Sequence, residues 1–197
     1  MQLRNQYLDD VYVSTDSEEI AKVSRKYGAK VIKRPANFAT DKASSELALL
    51  HFAKKVDCEV IMLLQCTSPL TSTHYIDFMI ETYCRNGNDT MLSVCKAEGG
   101  FQCGGFLWSS KAKPINHKLP RQRRQDLQEE FKENGAMYMM TKEGLLKHKS
   151  RFFGKIGLFE MSKIKSFEID SFTDLYFIER LMKAKIYDEE YNFMWGY

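Results

Sequence analysis

The acidic residues Glu168 and Asp170 stand two positions apart in the last fifth of the sequence, separated by Ile169. In an extended segment, side chains two positions apart point to the same face. Two carboxylates arranged in this way can hold Mg²⁺, a hard ion that prefers carboxylate and phosphate oxygens. Two exposed acids at the edge of a sheet produce the same pattern, and the pair alone favours that interpretation. Asp174 is better explained as an acid in the first turn of a helix, where it favours the helix dipole.

Three further polar clusters each follow a short apolar run: residues 14–16, Arg34 with the loop to Ser45, and Gln65 with its neighbours. In sheets of parallel strands, ligands bind at the carboxyl ends of the strands, so these clusters mark where a ligand site would lie. Ser, Thr and Asp after a strand are also ordinary helix caps, which is the favoured interpretation of residues 14–16. Gln65 directly follows five apolar residues and needs a polar partner, either the backbone or a ligand.

The elements that would position these residues alternate between strands and helices. Short apolar runs predict strands, whereas apolar residues three and four positions apart predict helices. The predicted strands cover residues 11–13, 30–33, 60–64, 91–94, 136–140 and 156–161. The predicted helices lie around residues 15–27, 44–56, 76–83 and 172–186.

This alternation predicts one α/β domain over residues 1–197, with a mostly parallel, Rossmann-like sheet covered on both faces. Residues 60–64 form the most apolar run, which predicts a central strand. Residues 98–133 differ from the rest because they are rich in Gly, Lys, Arg and Gln and have no sustained period. We interpret them as an arm inserted into the domain.

The composition is that of an ordinary globular protein, with 44% hydrophobic residues, 28% charged residues and a net charge of +3. These values argue against disorder and give little support to nucleic-acid binding. The five cysteines form no CxxC pair, which argues against a zinc site and fits a reducing cytosol. Neither a signal peptide nor a membrane span is evident. We therefore predict a cytoplasmic protein whose partners are neither nucleic acid nor membrane.

Several short strings recur in the order typical of one enzyme family. They are VSTDSEEI at 13–20, KRP at 33–35, ATDKASS at 39–45, LQCTSPL at 64–70, RQ at 124–125, ENGAMY at 133–138 and ID at 169–170. Together they resemble the N-acylneuraminate cytidylyltransferases, also called CMP-sialic acid synthetases. The resemblance runs from about residue 10 to residue 181.

The resemblance implies an enzyme that condenses a nonulosonic acid sugar with CTP in the presence of Mg²⁺, giving CMP-sugar and pyrophosphate. It also implies a homodimer formed through the arm. By the same resemblance, Arg34 and Ser45 contact the nucleotide, and the sugar is held by Gln65, Asn134, Tyr138, Phe152 and Phe153. Asp170 and the arm residue Arg124 would be catalytic, with Asp170 and Glu168 as metal ligands. Glu168 stands where the family usually has Asp, so its reach differs by one methylene.

The family begins with a strand and a Gly-rich loop of the form RGGSKxIPxKN, which cradles the triphosphate, and this sequence has no such string. Three interpretations follow. We favour a truncated form of a cytidylyltransferase. One alternative is a non-catalytic relative that binds sugar or protein. The other is that a second chain supplies the missing loop. Among substrates, the strings around residues 40–46 favour a sialic acid, with legionaminic, pseudaminic and Kdo acids as alternatives.

Overall fold

A computed structural model of the chain describes residues 7–40, 42–97 and 130–184. Most of the predicted arm at 98–133, including Arg124, lies outside the described residues. The described strands are β1 (Tyr12–Thr15), β2 (Lys30–Lys33), β3 (Val60–Leu64), β4 (Thr90–Lys96), β5 (Phe131–Thr141) and β6 (Ile156–Glu160). The described α-helices are α1 (Glu18–Lys26), α2 (Ser45–Lys55), α3 (Thr73–Asn86), α4 (Lys142–His148) and α5 (Phe172–Ala184). The α/β class predicted from the sequence is therefore confirmed.

The described strands form two sheets. The strands β1 and β2 pair in parallel, with Tyr12 opposite Lys30 and Thr15 opposite Lys33. The other four form a sheet in the order β3-β5-β4-β6. The prediction of β3 as a central strand was wrong for this sheet, because β3 is the outermost of the strands that the structure describes there, and Val60 and Leu64 are exposed. A continuous apolar run indicates burial but does not specify which strands lie beside it.

The residues fall into two compact units, which we describe separately. The first comprises the described residues within 1–63, 72–91 and 138–157, and the second those within 64–71, 92–137 and 158–197. In the first unit, Met79, Met91, Met140 and Leu145 are among the most deeply buried side chains. In the second unit, Met137, Met161 and Ile178 are buried to the same degree.

Local chemistry accounts for where the helices begin and end. Ser17 caps α1 by accepting a hydrogen bond from the Ile20 N–H at 3.4 Å. Thr141 caps α4 in the same way by accepting from the Gly144 N–H at 3.3 Å. The helix α3 ends at Gly87, whose φ of 58° is left-handed and is most readily adopted by glycine.

Helix α1 is predicted from apolar residues three and four positions apart, and the face that they form has an unexpected environment. Ile20, Val23 and Tyr27 are all more than half exposed, and the buried residue of this helix is Ala21. Periodicity identifies the apolar face of a helix, but it does not identify what covers that face. Among the described residues, no helix is long and apolar enough to cross a membrane.

Candidate active site

In the first unit, Arg34 is held just after β2 by Ser14 of β1. Its Nε donates a hydrogen bond to Ser14 Oγ at 3.2 Å, and its Nη2 donates to the Ser14 carbonyl oxygen. The parallel pairing of β1 and β2 brings both residues to the carboxyl end of the small sheet. A guanidinium has five N–H donors, so these two bonds leave donors for an anionic ligand. Ser14 therefore orients Arg34, whereas the capping role falls to Ser17.

Ser45 is the first residue of α2, and it is exposed. The first N–H groups of a helix have no partner within the helix, and the helix dipole places partial positive charge there. Such an end attracts phosphate groups. The position of Ser45 is thus compatible with the predicted nucleotide contact, which stays a prediction.

Tyr138 lies at the centre of a cluster in the same unit. Its ring is nearly fully buried and packs edge-on against the ring of Phe152, with 6.0 Å between centroids. The guanidinium of Arg151 stacks over the Tyr138 ring at 4.6 Å from the centroid. The Nε of Arg151 also donates to Glu46 Oε1 at 2.7 Å, and this hydrogen bond lowers the pKa of Glu46.

The two phenylalanines at 152 and 153 have different environments. Phe152 is 38% exposed and lies against Tyr138, as a residue of an apolar wall would. Phe153 is buried and stacks on His148 at 5.1 Å between centroids. Its ring also fills the space where a Cβ on Gly144 would stand, at 2.0 Å from the nearest ring atom. Phe153 is therefore a core residue, and of the pair Phe152 is the better candidate for a contact with ligand.

In the second unit, the loop after β3 is joined to the acidic segment. The Gln65 N–H donates to the Ala136 carbonyl at 3.0 Å, which gives its backbone a partner. The Gln65 side chain is half-buried. Two residues later, the Thr67 carbonyl accepts from the Ile169 N–H at 2.8 Å. This backbone bond places the Glu168–Asp170 segment beside the loop that carries Gln65.

Asn134 is the centre of a buried hydrogen-bond network. Its Oδ1 accepts from Ser93 Oγ at 2.6 Å and from the Ala136 N–H at 3.2 Å. Its Nδ2 donates to Ser166 Oγ at 2.8 Å and also contacts the sulfur of Met161 at 3.4 Å. The residue is 2% exposed, and both ends of its amide have protein partners. The predicted sugar contact of Asn134 stays a prediction, and a direct contact through the side chain would have to replace one of these partners.

Gly135 gives Glu168 the space that it occupies. A Cβ built on Gly135 would stand 1.6 Å from Glu168 Oε1, and the φ of Gly135 is +68°. Burial raises the pKa of the Glu168 carboxyl, and the negative charge of Asp170 raises it further, against an opposing effect of Lys132. Asp174 lies in the first turn of α5, as predicted. Its Oδ2 accepts hydrogen bonds from the Ser171 N–H at 2.8 Å and from the Asp170 N–H at 3.2 Å.

The carboxylates of Glu168 and Asp170 fit the donor chemistry of Mg²⁺. Their mutual repulsion, which contributes to the raised pKa of Glu168, is the kind that a bound cation offsets. Among the described residues, no group of three or more His, Cys, Asp or Glu side chains is arranged to hold a metal. This is compatible with Mg²⁺, which is usually bound through one or two carboxylates together with water and substrate phosphates.

The structure brings some of the predicted site residues together in pairs or segments. It joins Tyr138 to Phe152, and it joins the Gln65 loop to the Glu168–Asp170 segment. Arg124 lies outside the described residues. Sequence reasoning missed Arg151 and the hydroxyl partners of Asn134, because each contact joins positions more than 30 residues apart.

Comparison with known proteins decides the family. The model of a family described as cytidylyltransferase matches residues 2–193. The chain belongs to the cytidylyltransferase family. Members of this family are nucleotidyltransferase enzymes. The chain is 34% identical over 175 residues to N-acylneuraminate cytidylyltransferase A of Danio rerio, covering 82% of this chain and 38% of that protein.

Two further relatives differ in length and name. The chain is 32% identical over 183 residues to post-translational flagellin modification protein B of Campylobacter coli, covering 89% of this chain and 77% of that protein. It is 32% identical over 169 residues to an N-acylneuraminate cytidylyltransferase of Streptococcus agalactiae, covering 84% of this chain and 40% of that protein. The chain therefore spans less than half the length of the relatives that carry the N-acylneuraminate name.

Solved structures agree on the fold. A CMP:2-keto-3-deoxy-manno-octonic acid synthetase complexed with CTP superposes with a TM-score of 0.69 at 14% identity, covering 93% of this chain and 84% of that one. A 4-diphosphocytidyl-2C-methyl-D-erythritol synthase from Anaerococcus prevotii gives a TM-score of 0.64 at 11% identity, covering 91% and 81%. The neighbours confirm the predicted α/β fold with a mostly parallel sheet.

Proposed function

We propose that this protein transfers CMP from CTP to the anomeric hydroxyl of an N-acylneuraminate, giving a CMP-sugar and pyrophosphate. Membership of the cytidylyltransferase family supports the reaction class. The names of the relatives from Danio rerio and Streptococcus agalactiae support the choice of sugar. The structural observation that carries the proposal is the pair of carboxylates at Glu168 and Asp170, which fits the metal that CTP chemistry requires.

In this proposal, Asp170 and Glu168 hold Mg²⁺. When bound, the ion offsets the negative charge of the triphosphate and of the departing pyrophosphate. Gly135 leaves room for the Glu168 carboxylate, and the Thr67–Ile169 backbone bond fixes the segment between the two acids. The Asp174 carboxylate accepts a hydrogen bond from the Asp170 N–H and so orients the backbone of Asp170, the proposed metal ligand.

The remaining residues bind and orient the two substrates. Arg34 and the N-terminus of α2 at Ser45 offer cationic and N–H donors to the nucleotide. Tyr138 and Phe152 are proposed for the sugar, with Phe152 as the exposed aromatic surface and the nearly buried Tyr138 ring packed against it, and Gln65 offers an amide. Positioning of this kind accounts for much of the rate in a displacement at phosphorus, because little covalent chemistry is left to the protein. Arg124 is proposed as a further cation at the reacting phosphate.

The homodimer and the cytoplasmic location belong to the same proposal. The arm at 98–133 would form the dimer contact, as it does in the family that the sequence resembles. Light scattering of the purified chain tests this directly, since a mass near twice 23.0 kDa is expected.

A panel of sugars tests the proposed substrate. The purified chain is incubated with CTP, Mg²⁺ and one of N-acetylneuraminic, legionaminic, pseudaminic or Kdo acid, and CMP-sugar is quantified by mass spectrometry. Product is expected with N-acetylneuraminic acid, and it should be lost in Asp170→Asn. If product forms with only one of the other three sugars, that sugar replaces N-acetylneuraminic acid as the proposed substrate. Sugar binding by a folded chain without any product would favour the non-catalytic alternative and overturn the proposed activity.

A further inference from the structure

Arg151 contacts two elements of the first unit that the proposed function assigns to different substrates. Its Nε donates to Glu46 Oε1 at 2.7 Å, in the first turn of α2, one residue after Ser45. The face of its guanidinium lies over the ring of Tyr138 at 4.6 Å from the centroid. One side chain therefore joins the element proposed for the nucleotide to the ring proposed for the sugar.

The Arg151–Glu46 pair differs from an ordinary surface ion pair. The Arg151 side chain is 12% exposed and that of Glu46 is 29% exposed. The Lys183–Glu179 pair, by contrast, has side chains that are 64% and 53% exposed. Water and salt screen an exposed pair strongly, whereas a shielded pair is screened much less and leaves an uncompensated charge when one partner is removed. The Arg151–Glu46 pair is therefore screened less than the Lys183–Glu179 pair, and breaking it is expected to have the larger effect.

The two contacts use different parts of the guanidinium. Its N–H donors lie in the plane of the group and reach Glu46, while its flat face stacks on Tyr138. The Phe152 ring packs edge-on against the Tyr138 ring at 6.0 Å between centroids. Arg151 and Phe152 together restrict the orientation of the Tyr138 ring. A lysine at position 151 supplies a charge for Glu46 but no planar face for the ring.

We propose that Arg151 is a positioning residue that sets the sugar affinity through Tyr138 and the nucleotide affinity through Glu46 and the first turn of α2. The inference rests on the proposed function, which assigns Tyr138 to the sugar and Ser45 to the nucleotide. It does not require Arg151 to touch either substrate. It requires that the two affinities be separable by substitutions that break one contact and keep the other.

Calorimetric titration of the full chain with CTP and with N-acetylneuraminic acid, each without Mg²⁺ so that no turnover occurs, tests this separation. Arg151→Lys is expected to weaken sugar binding about tenfold while changing the CTP affinity less than about threefold. Glu46→Gln is expected to weaken CTP binding about tenfold while changing the sugar affinity less than about threefold. Arg151→Gln is expected to weaken the binding of both CTP and the sugar. Lys183→Gln, which breaks the exposed pair, is the matched control and should change neither affinity.

A double-mutant comparison gives an independent measure. In a Tyr138→Leu background, Arg151→Lys should have no further effect on sugar binding, because the ring on which it acts is absent. Circular dichroism melts establish whether each variant is folded. If Arg151→Gln does not fold, Arg151→Lys and Glu46→Gln are sufficient for the test.

The outcomes distinguish the two claims. If the wild-type chain binds neither CTP nor the sugar, the proposed function fails and this inference fails with it. If the wild type binds both and Arg151→Lys changes the two affinities by the same factor, or changes neither, Arg151 is a structural residue only. In that case the positioning role is overturned while the proposed function stands.

Discussion

Substitution of Gly135 by Ala is the change whose effect the structure defines most closely. The new Cβ would stand 1.6 Å from Glu168 Oε1 and 2.7 Å from its carboxyl carbon. Cβ atoms essentially never approach other atoms closer than 3.0 Å, so the carboxylate must move by about 1.4 Å. A shift of about 1 Å at a reacting group is enough to lower a rate by about 10²-fold.

Backbone strain has to be separated from this displacement. The φ of +68° at Gly135 costs an alanine roughly 1–2 kcal/mol, partly offset by about 0.4–1 kcal/mol from the smaller freedom of the unfolded chain. Gly87 has a similar φ of +58° but nothing within 4 Å of its added Cβ. Gly87→Ala is therefore a control that has the strain without the clash.

The assay is the affinity for Mn²⁺, used in place of Mg²⁺, in the presence of CTP and read from water proton relaxation. Gly135→Ala is expected to weaken Mn²⁺ binding by roughly 10- to 100-fold, whereas Gly87→Ala leaves it unchanged. In a Glu168→Gln background, Gly135→Ala should have little further effect, since the displaced ligand has already been replaced. A folded Gly135→Ala variant with wild-type Mn²⁺ affinity would refute the assignment of Glu168 as a ligand.

Three further predictions follow from the second unit. Asn134→Ala should lower the free energy of unfolding by roughly 2–4 kcal/mol in urea, because it removes the buried hydrogen bonds of the Asn134 amide with Ser93 Oγ, Ser166 Oγ and the Ala136 N–H. A loss below about 1 kcal/mol would contradict the network. The raised pKa of Glu168 means that the native state holds this proton more tightly than the unfolded chain, so the contribution of Glu168 to stability should fall as pH rises from about 4.5 through the folded-state pKa. The same titration in Glu168→Gln should lack that decrease, and an identical pH profile would argue against the shift. Asp170→Ala should lower cytidylyl transfer by orders of magnitude, and near-normal turnover at saturating Mg²⁺ would exclude Asp170 as the metal ligand.

Short-range patterns in the sequence were sufficient to locate most elements. The apolar run at 60–64 has the same bounds as β3. Of the four apolar residues that predict α3, Ile76, Met79 and Tyr83 are buried and Ile80 is half-buried. Helix α4 was missed because it has only seven residues, which is too short for a clear period. The outermost position of β3 among the described strands was missed because strand order depends on pairing between distant segments.

The candidate site was predictable to the extent that it rests on strings of adjacent residues. The spacing of Glu168 and Asp170 drew attention to the pair, but by itself it favoured two exposed acids, and the assignment as metal ligands came from the family resemblance. The repulsion between the two carboxylates appears in the raised pKa of Glu168. Arg151 was not found, because its partner Glu46 is 105 positions away and nothing local marks an arginine as shielded. The amide of Asn134 was expected to face a ligand, whereas its buried partners could be identified only once the strands were placed.

The central claim is that this chain joins CMP to an N-acylneuraminate, and pyrophosphate release measures that step directly. The folded chain is mixed with CTP, Mg²⁺ and N-acetylneuraminic acid, and with each component omitted in turn. We predict that pyrophosphate forms only in the complete mixture, with one CMP-sugar for each pyrophosphate. Pyrophosphate that forms without the sugar, or none at all from a folded chain in the complete mixture, would contradict the account.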